Sequence, residues 1–79
     1  MVYCDFVKTE KDKILYKIGG TVKDITGMLV INSSDGFSFE VTRQPDESKV
    51  SPRHIEYMIR NNIRSFKKKI YPQKMSYEI

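Results

Sequence analysis

The segment from Ser51 to Pro72 constrains this chain more than any other. Ile55, Met58, Ile59, Ile63, Phe66 and Ile70 recur at spacings of three and four, which lines them along one side of an α-helix. Ser51 suits the N-cap. Pro52 suits the first helical position, where its missing N–H would be unpaired anyway. Arg64, Lys67, Lys68 and Lys69 crowd the last turns, where the negative end of the helix dipole favours cations, and Tyr71-Pro72 supplies a stop. Together these signals predict one amphipathic helix from about Pro52 to Lys69. Its single apolar stripe must be buried against a second layer, and residues 1–50 have to supply it.

That layer reads as β-structure. Residues 2–7 alternate, placing Val2, Cys4 and Phe6 on one face; residues 14–18 alternate again, with Ile14, Tyr16 and Ile18 together. Lys8 to Lys13 is a charged connector, so the two runs are expected to form a hairpin with a loop of about six residues. Gly19-Gly20 reads as a turn taken in the left-handed region. Thr21 to Asn32 is expected to hold a short strand, a turn at Asp24–Gly27 and a further strand over 28–32. Met28-Leu29-Val30-Ile31 is apolar on both faces, as in a central strand. Asn32 to Gly36 is a polar cluster ending in Asp-Gly, a hairpin turn signal. The next strand, 37–43, points Phe37, Phe39 and Val41 inward and Ser38, Glu40 and Thr42 outward. The expected fold class is therefore α+β: a small antiparallel sheet of about four strands in β-β-β-β-α order, packed against one C-terminal helix. Residues 71–79 show no periodicity, and their order is left open.

A chain of 79 residues makes one domain, spanning 1–79. At this size roughly 60–65% of the unfolded surface is hidden on folding, enough for two layers and little more. With 39% hydrophobic and 30% charged residues, the apolar side chains fall in periodic runs, unlike those of a disordered chain. No apolar run approaches the length of a membrane span, and no secretory signal opens the sequence. One cysteine cannot form an internal disulfide, so a reducing cytoplasmic location is the expectation. The absence of Ala and Trp alongside abundant Lys, Ile and Tyr resembles the usage of AT-rich bacterial, phage or mobile-element coding sequences.

No set of nucleophile, base and oxyanion donors can be assembled, so no enzyme is expected. Cys4 falls on the inward face of the first strand and His54 in the first helical turn; two such residues make no metal site. Gly19-Gly20-Thr21 lacks the rest of a phosphate-loop pattern, and Asp35-Gly36 lacks the further ligands of a calcium loop. No cofactor, metal or small-molecule ligand is expected.

Two surfaces remain as binding candidates. Residues 1–50 carry seven Lys/Arg against eight Asp/Glu, whereas residues 51–79 carry seven against Glu56 and Glu78 alone. The excess positive charge behind the net +4 therefore sits on the helix and the C-terminal residues beyond it. Arg53, Arg60, Arg64, Lys67 and Lys68 project away from the apolar stripe at a spacing suited to successive phosphates, with Tyr57 among them to stack on an unpaired base. A solvated outer helix face fits the same pattern. The second candidate is the side of the sheet that one helix cannot cover, with Tyr3, Val7, Leu15, Leu29 and Ile31 as its expected apolar residues and self or another protein as its partner.

Overall fold

In a computed structural model that describes Met1 to Ile79, the elements run β1 (Val2–Glu10), β2 (Lys13–Gly19), β3 (Gly27–Asn32), β4 (Ser38–Arg43), α1 (Pro52–Asn61), α2 (Ile63–Lys67) and β5 (Lys74–Tyr77). The strands form one 5-stranded antiparallel sheet in the order β4-β3-β2-β1-β5. The α+β class is as the sequence predicts. The strand count and the single helix are not.

The fifth strand comes from the C-terminal segment. Lys74–Tyr77 pairs with Asp5–Val2, setting Met75 beside Cys4 and Tyr77 beside Val2 on the helix side of the sheet. The strand carries only these two inward positions, too few for alternation to register. Its place is set by the ladder with β1 and by an ion pair from Lys74 to Asp5 at 3.1 Å.

The helix breaks at Asn62. The Asn62 N–H donates to the Ile59 carbonyl, three residues back, while its side-chain Nδ2 donates to the Met58 carbonyl at 2.8 Å. The side chain thus satisfies the carbonyl that the regular i−4 bond would have used, and the helical axis is interrupted without leaving that oxygen unpaired. Ser51 precedes Pro52 in extended conformation, but its hydroxyl makes no capping hydrogen bond.

The helical segment ends in a Schellman motif. The Lys69 N–H donates to the Phe66 carbonyl, the Ile70 N–H to the Ser65 carbonyl, and Lys69 itself has φ 61°. Ile70 lies beyond this reversal and is 59% exposed, so it does not belong to the buried stripe as its spacing suggests. A Cβ makes the left-handed region costly, so Lys69→Gly is expected to raise stability by about 1 kcal/mol and the melting temperature by roughly 5 °C, with Lys69→Ala giving no such gain. Thermal unfolding of the two variants checks this.

The β1–β2 connection is also tighter than its polarity suggests. The ladder continues through Lys8↔Leu15, Thr9↔Ile14 and Glu10↔Lys13, leaving Lys11 and Asp12 as the loop. Residues 8–13 are polar because this end of the hairpin is exposed, and they pair nonetheless. A bulge between Phe6 and Lys8 leaves Val7 without a partner.

The core is one cluster of 12 buried residues: Val2, Cys4, Ile14, Tyr16 and Ile18 from the first hairpin, Leu29 and Ile31 from β3, Ile55, Met58 and Ile59 from α1, Phe66 from α2 and Met75 from β5. Phe6, Phe37 and Tyr71 pack around Tyr16 and Phe66 at ring separations of 5.5–6.5 Å. The Tyr16 hydroxyl closes this cluster by donating to the Pro72 carbonyl at 2.8 Å.

Residues 20–26 form a loop without the short strand expected there, and Asp24 organises it. Asp24 is 5% exposed. Its Oδ2 accepts from the Glu47 N–H (2.9 Å), the Ser48 N–H (2.6 Å) and the Ser48 hydroxyl (2.6 Å), and its Oδ1 accepts from the Thr26 hydroxyl (2.9 Å). One carboxylate therefore ties the β2–β3 loop to the β4–α1 connection. The hydrogen bond from the Ser48 hydroxyl, foremost, and those from Glu47, Thr26 and the Ser48 N–H hold its pKa down, from 3.8 to about 2. Gly19 serves this closure. Its backbone is not left-handed; a Cβ there would run into the Asp24 carbonyl.

Candidate functional site

Helix α1 lies over β1 and β5, with α2 continuing past Asn62. Arg53, Arg60, Arg64, Lys67 and Lys68 are all exposed, Arg60 at the groove beside Phe37 and Phe39. At 1.5 Å per helical residue, Arg53 and Arg60 lie about 10 Å apart along α1, and Arg64, Lys67 and Lys68 follow beyond the break at Asn62.

The six helix residues are not equivalent. Arg60 is paired with Glu56 at 3.0 Å, an i,i+4 bridge that cancels its charge locally. Arg53, Arg64, Lys67 and Lys68 have no carboxylate within 4.0 Å. The Tyr57 ring leans on Tyr77 at 5.4 Å, and the His54 ring also meets Tyr77 at 5.4 Å. β5 therefore gives Tyr57, which stays 36% exposed, an aromatic neighbour in Tyr77. A sequence that hides β5 also hides this.

The uncovered sheet face departs further from its expected composition. Tyr3 and Leu15 lie there half-buried, and Val7 is the exposed bulge residue. Leu29 and Ile31 do not lie there: both are 0% exposed, in the core beneath the helices. The apolar run satisfies either parity, and pairing of Leu29 with Tyr16 and Val41 selects the inward set. Met28 and Val30 take the open side. A row of Lys74, Asp5, Lys17, Met28 and Arg43 crosses it through successive pairings, so charge interrupts the apolar residues.

A feature that no sequence pattern announces is a groove of about 500 Å³ between α1 and the start of β4. Phe37, Phe39, Ile59 and Ile63 line it, with the Glu56–Arg60 pair at its rim. It exists because α1 is drawn toward β1 and β5, leaving the β4 side of the sheet partly open.

Cys4 is buried, and desolvation first, with the Asp5 charge second, pushes its thiol up to about 12. It is a thiol, not a thiolate, at neutral pH. No three His, Cys, Asp or Glu side chains gather in a metal-binding group, and no helix is long and apolar enough to cross a membrane. No protein-family model matches the chain, and no curated protein or solved structure is similar enough to inform it.

Proposed function

We propose that this chain is a small, non-enzymatic nucleic-acid-binding accessory domain that contacts phosphates through Arg53, Arg64, Lys67 and Lys68. The observation that carries the reading is that these exposed cations, on α1, on α2 and just beyond it, have no carboxylate partner, while most acidic residues lie in residues 1–50. Arg60 contributes less, because Glu56 accompanies it. Tyr57 leans on Tyr77, so the cations carry the contact, and binding is directed at the backbone and indifferent to sequence. Self or protein association through the uncovered sheet face is the weaker reading, since the charged row from Lys74 to Arg43 divides that surface.

Fluorescence anisotropy with a labelled duplex of arbitrary sequence tests the proposal. Four phosphate contacts predict that log affinity falls against log salt with a slope of about −3.6. Arg64→Gln is expected to lower the magnitude of the slope by about 1, and Arg60→Gln by less. A slope near zero, or no binding at low salt, rejects the reading.

A further inference from the structure

We infer that the free edge of β4, together with the groove beside it, docks an extended segment of a partner chain that carries a basic residue between two apolar ones. The two ends of the sheet differ. β5 is short, begins with Lys74 and comes after Pro72, all features that blunt an edge. β4 presents Ser38–Arg43 with neither proline nor lysine. An added strand there gains main-chain hydrogen bonds, and its alternate side chains point to the groove side and to the open face.

The groove side asks for apolar groups. Phe39 and Val41 are only partly buried against the core, and Phe39 continues into the cavity lined by Ile59 and Ile63. Phe37 lines the same cavity with φ 59°, directly after Gly36 at φ 62°. A left-handed backbone is strained for so bulky a residue, and the Phe37 ring is held against Phe66 at 6.0 Å. The open side asks for a cation. Glu40 projects there between the two apolar positions, with no Lys or Arg within 4.0 Å.

Charge also decides against a second copy as the occupant. The antiparallel self-pairing that sets Phe39 against Val41 of another protomer places the two Glu40 carboxylates directly opposite, which is destabilising. A pairing centred on Phe39 runs into Phe37, which leaves the strand with φ 59°, and one centred on Val41 spans the irregularity in β4 between Val41 and Arg43. A foreign segment with lysine or arginine opposite Glu40 replaces the like-charge contact with an attractive one.

The test uses the full chain, ¹⁵N-labelled, and a short capped peptide with a Thr-Val-Lys-Val-Thr core. Amide shifts are expected along Ser38–Arg43 and at Ile59 and Ile63. Glu40→Lys, an exposed substitution whose fold is checked by circular dichroism, is expected to weaken binding about tenfold. The same variant should prefer a peptide with glutamate at the centre. No shifts at millimolar peptide, shifts confined to β5 or the open sheet face, or equal affinity in Glu40→Lys would each overturn the inference. So would self-association of the unliganded chain through β4 in light scattering.

Discussion

Phe66→Ala is expected to cost about 3–5 kcal/mol, a large part of the stability of a domain this small. Phe66 is 2% exposed and is the one residue of α2 in the core. Its ring meets Tyr16, Phe37 and Tyr71, so truncation opens a void among three aromatic rings and removes the anchor of the segment carrying Arg64, Lys67 and Lys68. Phe66→Leu keeps most of the volume and should cost no more than about 1.5 kcal/mol. Urea unfolding measures both. Equal, small losses in the two variants would show that α2 does not depend on this contact.

Asp24→Ala is expected to lower the melting temperature by roughly 10 °C at pH 7, because it strands donors from Thr26, Glu47 and Ser48. Its pH dependence identifies the carboxylate as the cause. The folded pKa, about 2, lies below the ordinary 3.8. The contribution of the ionised group is therefore fully present above about pH 4 and is lost as the pH falls toward 2. Asp24→Asn keeps one acceptor oxygen for the Glu47 and Ser48 donors and cannot ionise. It should lose less at pH 7 and show a flatter stability profile between pH 4 and pH 2. Thermal scans across that range would contradict this role if the native chain and Asp24→Asn followed the same acid profile.

The elements with long periodic runs are legible in the sequence. Val2 and Cys4, Ile14, Tyr16 and Ile18, and Ile55, Met58, Ile59 and Phe66 all reach the core where their spacing places them, while Ile63 of the same stripe is only partly buried. Four consecutive apolar residues fit either face of a strand, so the inward choice of Leu29 and Ile31 rests on cross-strand partners that spacing does not reveal. In the sequence Asp24 marks only the start of a turn, because its Glu47 and Ser48 donors lie more than 20 positions away. Asn62 and Lys69 end the two helices through local bonds that compete with a continuous apolar stripe. β5 hides in a segment with two inward side chains, and its invisibility to periodicity has the widest effect. It draws α1 to one side of the sheet, engages Tyr57, and leaves the groove beside β4. The cation row itself needs no tertiary information, since helical spacing and charge counting place it. That Arg60 is paired while Arg53, Arg64, Lys67 and Lys68 are not becomes visible only in three dimensions.

The most direct measurement of phosphate contact by α1 and α2 is an NMR titration of the ¹⁵N-labelled chain with a short DNA duplex at low salt. Shifts are expected at Arg53, Arg64, Lys67 and Lys68, fading as salt is added, with little change along the sheet. A spectrum unmoved by the duplex, or one whose shifts gather at Tyr3, Leu15, Met28 and Val30, would contradict it.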